Sequence, residues 1–342
     1  MTFLPSSSDL KRSLPLSPQE ALMIHHHRKE IEHILLSKQQ RLAFIIGPCS
    51  LHHRDSAIEY AQRVSLLQKK VGKSCLLIMR AHVEKPRTLL GWKGILYDPY
   101  LDGSHRLADG LSLARRTLLQ IAQLGVPMAT EFLDPIAAPY FSDLVSWGFI
   151  GARTSASQTH RQLASSLPMP VGFKNSTDGN LQNAVQGAYT ATHSHHFLGV
   201  SEEGKVAEVQ SLGNPHTHIV LRGSLQSPNY DSCSLRLAQD LLDQTDLPCK
   251  RILIDCSHGN SQKDPMQQAN VLKTVLSQYV NGNERIMGMM LESHIHAGAQ
   301  SFNASSLSPF ISLTDPCIDW SLTEELILAS EEVLSSLLLV SS

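Results

Sequence analysis

No apolar run in this 342-residue chain reaches the ~20 residues that a membrane-spanning helix needs, so no membrane partner is expected. Neither charge predominates: 29 Lys+Arg stand against 31 Asp+Glu, and no global basic field points to nucleic acid. The six cysteines show no CxxC spacing, and several sit inside apolar runs, unlike a secreted disulfide framework. A reducing cytoplasm is the expected setting, where Cys49 stays a thiol open to metal. Residues 1–17 are Ser-rich without the apolar stretch of a secretory signal, and they carry few Arg, unlike a transit peptide. A GxGxxG after the first strand-like run is also missing, which argues against an open doubly wound sheet.

The length allows one large α/β barrel or two ordinary domains. An arm broken by Pro5, Pro15 and Pro18 leads into an amphipathic helix over Gln19–Ser37, with Leu22, Ile31, Ile34 and Leu35 among charges. Beyond it, short apolar runs alternate with helical patterns. Strands are expected at Leu42–Pro48, Cys75–Arg80, Met128–Phe132, Phe149–Arg153, Val171–Lys174, His218–Arg222, Arg251–Asp255 and Ile286–Leu291. Helices between them include Arg54–Lys70, Asp109–Leu124, Pro135–Trp147 and Asp264–Val280. Eight β–α alternations predict an α/β fold, a closed (β/α)8 TIM barrel over residues 41–342, with the arm and helix occupying residues 1–40. His196–Val209 alternates and carries Gly199 and Gly204, so an inserted β-hairpin is expected before the sixth strand.

Barrel enzymes carry their reactive groups at the C-terminal ends of strands. Cys49 follows the first strand, His258 the seventh and Glu292 the eighth, and Asp315 comes soon after in Thr314-Asp315-Pro316. A thiolate, an imidazole and two carboxylates suit one divalent metal ion, whether Mn, Fe, Co or Zn. A second set at the same positions is cationic: Arg80, then Lys85 and Arg87 in Lys85-Pro86-Arg87-Thr88, then Arg153, Lys174 and Arg222. So many cations in one mouth repel one another unless anions join them, and phosphates and carboxylates are the natural partners.

Each residue alone has a plainer account. A single Arg after a strand is usually a solvated loop charge, and a single Cys is usually a buried thiol. Recurrence of one placement on seven strands favours a site. Other features are better read as structure. His25-His26-His27 fits a solvated helix face, His193, His195 and His196 decorate the approach to the hairpin, and Trp92 and Trp147 pack. Gly91-Trp92-Lys93-Gly94 is too short to be a phosphate loop by spacing.

Ile46-Gly47-Pro48-Cys49-Ser50, Met79-Arg80, Glu84-Lys85-Pro86-Arg87-Thr88, Gly91-Trp92-Lys93-Gly94, Gly151-Ala152-Arg153-Thr154 and Gly172-Phe173-Lys174-Asn175 resemble motifs of the class I 3-deoxy-D-arabino-heptulosonate-7-phosphate (DAHP) synthases. Leu221-Arg222-Gly223, Ile254-Asp255-Cys256-Ser257-His258, Leu291-Glu292-Ser293-His294 and Thr314-Asp315 extend the match, in order, from about Leu42 to Trp320. The resemblance implies a (β/α)8 barrel that condenses phosphoenolpyruvate with erythrose 4-phosphate and releases phosphate, opening the shikimate pathway. It places Cys49, His258, Glu292 and Asp315 on one divalent metal ion. It places Arg80, Lys85, Arg153, Lys174 and Arg222, with the backbone of Gly151 and Ala152, on phosphoenolpyruvate. Lys85, Pro86, Arg87 and Thr88 would meet erythrose 4-phosphate. Lys85, Cys49 and His258 are the candidates for direct roles in catalysis, Cys49 as metal ligand rather than nucleophile, because no His or Asp motif activates it. Protons could pass through Lys85 or through water on the metal. A homodimer or homotetramer is expected.

The chain departs from the family pattern at Cys256, Ser176, Pro168 and His82-Val83, none of them a proposed ligand. Its arm is shorter than in feedback-inhibited members and lacks their early acidic stretch, which predicts weakened or altered feedback inhibition. Cys317, two residues after Asp315, is expected near Cys49. The nearest rival is 3-deoxy-manno-octulosonate 8-phosphate synthase, which takes a five-carbon sugar phosphate; a rival of another class is a silent anion- or metal-binding regulator.

Overall fold

The computed structural model of the chain describes residues 2–302 and 306–340. Eight strands close into a parallel barrel: β1 (Leu42–Gly47), β2 (Cys75–Arg80), β3 (Met128–Glu131), β4 (Trp147–Ile150), β5 (Val171–Lys174), β8 (Thr217–Leu221), β9 (Ile252–Asp255) and β10 (Ile286–Glu292). Every residue of these strands is buried, because helices cover the outside and the interior is packed solid. The antiparallel pair β6 (His195–Val200) and β7 (Val206–Ser211) forms a separate hairpin before the sixth barrel strand, as expected.

Helices α3 (Arg54–Val71), α4 (Leu107–Gln123), α5 (Gln158–Ser166), α6 (Gln182–Ala191), α7 (Ser232–Asp243), α8 (Gln267–Val280) and α9 (Trp320–Val340) follow barrel strands. No helix among the described residues is long and apolar enough to cross a membrane. The Pro135–Trp147 stretch differs from expectation. It forms two 3₁₀ turns, Ala138–Tyr140 and Ser142–Leu144. Pro139 cannot donate to a helical ladder, and Trp147 is already the first residue of β4.

The arm holds a short helix, α1 (Ser7–Ser13), and the next helix, α2 (Pro18–Leu35), starts with a capping box in which Ser17 and Glu20 bond each other's backbone N–H. Ile31, Ile34 and Leu35 of α2 join the cluster inside the barrel with Ala43, Ile45, Ile78 and Leu253, so α2 plugs the N-terminal end. Each such side chain contributes roughly 1.5–3 kcal/mol by leaving water. His27 is buried on this helix, against the expectation of a solvated face; burial pushes its pKa down to about 4. Its neighbours His25 and His26 are exposed.

Candidate active site

Inside the barrel, side chains alternate with a period of two along each strand, and Ile45, Ile78, Ala129, Phe149, Val220, Leu253 and Met290 belong to the interior cluster. Two residues further on, at or one past each strand end, stand Gly47, Arg80, Glu131, Gly151, Arg222, Asp255 and Glu292. Lys174 occupies the same level on β5, two residues after Gly172, where a Cβ would strike the buried Phe149 and His218 rings. The top layer of the interior is thus one residue per strand: three cations, three carboxylates and two glycines.

The glycines make room for their neighbours. Gly47 has φ +147°, and a Cβ there would meet the Arg80 backbone at 3.0 Å. Arg80 then bends over the end of β1, donating to Pro48 O (3.3 Å), and its Nη2 reaches Glu292 Oε1 at 3.0 Å. Gly151 accommodates Glu131, whose Oε1 would lie only 2.0 Å from a Cβ at that position. Gln268 fixes Glu292 in turn, its side chain donating to Glu292 O (3.0 Å) and accepting from Glu292 N (2.8 Å).

Three expected metal ligands come together. Cys49 Sγ and one carboxylate oxygen each from Glu292 and Asp315 lie within 4.8 Å of one another. His258 stands beside this group, with Nε2 3.6 Å from Glu292 Oε1 and Nδ1 3.0 Å from Asp255 Oδ2. Lys85 Nζ donates to Cys49 Sγ (2.6 Å) and Asp315 Oδ2 (2.8 Å), so a positive charge already satisfies two of the donors. Burial and the Glu292 charge push the Cys49 thiol up to about 12, while Lys85 opposes them. Burial alone would raise the Asp315 carboxyl, yet the Lys85 ammonium holds it well below the usual carboxylate range. Lys85 is likewise held above its usual value against its own burial, first by Cys49 and then by Asp315. A mixed sulfur, oxygen and imidazole set of this spacing fits one divalent cation. Cys317 is buried close by, within reach of the Cys49 backbone N–H, as expected.

A cavity of about 430 Å³ opens above this layer, and every residue expected to contact substrate lines it except Gly151, which lies under Glu131. Cys49 sits beneath the floor, fully buried. Arg153 was expected to end the fourth strand, but β4 stops at Ile150 and Arg153 falls in the turn beyond, with Nε donating to Thr88 Oγ1 at 2.9 Å. Arg87 donates to Trp92 O (2.8 Å), and the buried Trp92 donates through Nε1 to Asp98 O (2.9 Å), which secures this loop. Arg222 is largely buried, and burial lowers its pKa, with the Arg153 charge adding to the effect.

Three residues of the site have no assigned role in the sequence reading. Asp255 accepts from Lys174 Nζ at 2.8 Å, Glu131 faces the cavity, and His82 lines it while buried. His82 is driven far below its ordinary pKa by burial and then by Arg80, Lys174 and Lys85; among the described residues its Nε2 has no hydrogen-bond partner. The two carboxylates could have been found by extending the two-residue alternation past the last apolar position of each strand. His82 continues the same alternation two residues beyond Arg80, but it lies past the end of β2, where no strand pattern marks it.

Fold and site together define a TIM-barrel enzyme whose mouth gathers cationic side chains beside a group of metal-type donors. The chain belongs to the DAHP synthetase I family, whose family model matches residues 15–328. It is 44% identical over 326 residues to the Tyr-sensitive phospho-2-dehydro-3-deoxyheptonate aldolase of Escherichia coli K12, covering 95% of this chain and 91% of that one. It is 40% identical over 332 residues to the phospho-2-dehydro-3-deoxyheptonate aldolase of Corynebacterium glutamicum, covering 95% and 90%. Among solved structures, the phospho-2-dehydro-3-deoxyheptonate aldolase of Francisella tularensis SCHU S4 superposes with a TM-score of 0.96 at 40% identity, over 98% of both chains.

Proposed function

We propose that this protein is a DAHP synthase, condensing phosphoenolpyruvate with erythrose 4-phosphate and water to give 3-deoxy-D-arabino-heptulosonate 7-phosphate and phosphate. Family membership supports the reading, and one observation about the site carries it. Lys85, Arg153, Lys174 and Arg222 share one cavity with Glu292 and Asp315, whose carboxylates group with the buried Cys49 thiol.

Arg153, Lys174 and Arg222 would hold the phosphate and carboxylate of phosphoenolpyruvate, with Arg80 below them. Lys85 to Thr88 would orient erythrose 4-phosphate. C3 of phosphoenolpyruvate attacks the aldehyde carbon, positive charge develops at C2, and water adds there. Cleavage of the C2–O bond then expels phosphate. Glu131 faces the cavity, where its carboxylate would stabilise charge at C2 while the cations hold the departing phosphate. Lys85 would hand a proton to the aldehyde oxygen. Cys49, Glu292 and Asp315, joined by His258, would hold one divalent ion, which when bound polarises the aldehyde. A homodimer or homotetramer and a cytoplasmic location belong to the same reading and rest on the family resemblance.

A turnover assay on metal-stripped protein tests this, with Mn, Fe, Co or Zn added back and either erythrose 4-phosphate or arabinose 5-phosphate supplied. Metal-restored phosphate release with the four-carbon sugar is expected. Release with arabinose 5-phosphate alone would assign the chain to the five-carbon rival, and silence with every metal would assign it to a regulator.

A further inference from the structure

We infer that Asp255 is the positioning residue that ties the anion-binding side of this site to its metal-donor side, fixing Lys174 and His258 with one carboxylate. The inference rests on the function proposed above. It concerns a residue that touches neither substrate nor metal.

Asp255 is fully buried at the inner end of β9. Its Oδ2 accepts from Lys174 Nζ at 2.8 Å and faces His258 Nδ1 at 3.0 Å. Its Oδ1 accepts from Ser257 N at 3.0 Å and from Ser257 Oγ at 2.6 Å. A carboxylate has about four acceptor sites, and all are taken, so Asp255 acts only through the groups it holds.

Those two groups depend on it differently. His258 adopts φ +57°, a left-handed backbone that aims the imidazole inward. Its Nδ1 lies against two acceptors, Asp255 Oδ2 and Ser257 Oγ (2.7 Å), so the proton belongs on Nδ1. The lone pair is then on Nε2, which faces Glu292 Oε1 and the metal donors. Among the described residues, Lys174 Nζ has one further hydrogen-bond partner, Met290 Sδ at 3.8 Å. A thioether is a weak acceptor, and without Asp255 nothing holds the ammonium in line with the cavity.

Asp255→Asn keeps the shape and removes the shared charge. Mn²⁺ affinity is measured by chelator competition, and binding of phosphoenolpyruvate and of inorganic phosphate by calorimetry on metal-free protein. Mn²⁺ affinity is expected to fall by about 10- to 100-fold, the range seen when partners of ligating histidines are lost. Anion affinity should fall together with it, by about tenfold, the loss of one charge-assisted contact. Ser257→Ala should weaken Mn²⁺ alone, and Lys174→Met the anions alone. If Asp255→Asn leaves either affinity within about twofold of wild type, or lowers only thermal stability, the inference is overturned. Should Asp255→Asn fail to fold, the Asp255→Asn/Lys174→Met pair removes both buried charges, and its Mn²⁺ affinity must still be reduced. Wild-type turnover is assayed alongside. Its absence would remove the proposed function, whereas the paired loss of phosphate and Mn²⁺ binding decides the role of Asp255 on its own.

Discussion

Arg80 and Glu292 form a buried ion pair across the end of β1, Nη2 to Oε1 3.0 Å, with neither side chain more than 3% exposed. The strand they cross ends in Gly47, which is in register with Glu292. Removing one partner of such a pair strands a charge in the interior, at a cost of about 3–5 kcal/mol. Glu292→Gln should therefore lower unfolding stability by about that amount in denaturant titration, and also abolish turnover. A Glu292→Gln/Arg80→Met double variant should recover part of the stability and none of the activity.

Cys49→Ala should abolish metal-dependent condensation while leaving the barrel folded. Circular dichroism and metal content report the two effects separately. Retained turnover would remove Cys49 from the donor set.

Glu84, just before Lys85, is buried against Tyr97 and Asp134; Tyr97 Oη lies 3.1 Å from Glu84 Oε1 and 3.3 Å from Asp134 Oδ2. Burial raises the Glu84 pKa to about 7 from an ordinary 4.5. The folded state then holds a proton that the unfolded state releases. The stabilisation is complete below pH 4.5 and is lost as pH rises through 7. The melting-temperature difference between wild type and Glu84→Gln should shift against wild type over that window. A difference independent of pH would show that Glu84 stays ionised.

Gly151→Ala should force Glu131 off its seat, since the new Cβ would lie 2.0 Å from Glu131 Oε1. The obstructing atom is the far end of a side chain, so stability should fall by only about 1–3 kcal/mol. Turnover should fall by at least about tenfold, or ~1.4 kcal/mol in barrier. Adding Glu131→Ala should restore the melting temperature without the activity.

The arm of this chain is fastened to its own hairpin. Ser8 N donates to Glu202 O at 2.9 Å, and Lys11 Nζ pairs with Glu202 at 2.6 Å. Activity should respond weakly to Phe, Tyr and Trp. Strong inhibition by any one of them at micromolar levels would overturn that expectation.

The barrel was legible because strands buried on both faces read as unbroken apolar runs: Cys75–Arg80 and Val171–Lys174 were found with their ends in place. The error at Pro135–Trp147 came from an apolar pattern that suits a helix but contains Pro139, a local veto that periodicity does not register. The cations were legible because charge at the end of an apolar run is conspicuous. Glu131 and Asp255 went unassigned for the opposite reason: their roles lie in contacts with Gly151, Lys174 and His258, which only the closed barrel supplies.

Ala43 to Gly47 of β1 lie in register with Gly288 to Glu292 of β10, so the first strand of the barrel is completed by the last. Cys49 and Glu292 are neighbours only across that seam. During synthesis the thiol emerges early and waits for more than two hundred residues before its partners exist. A nascent or truncated chain ending before β10 can carry every anion-binding cation and still have no assembled place for a metal ion. Metal capture should therefore be among the last events of folding, and tight metal binding a report that the ring has closed.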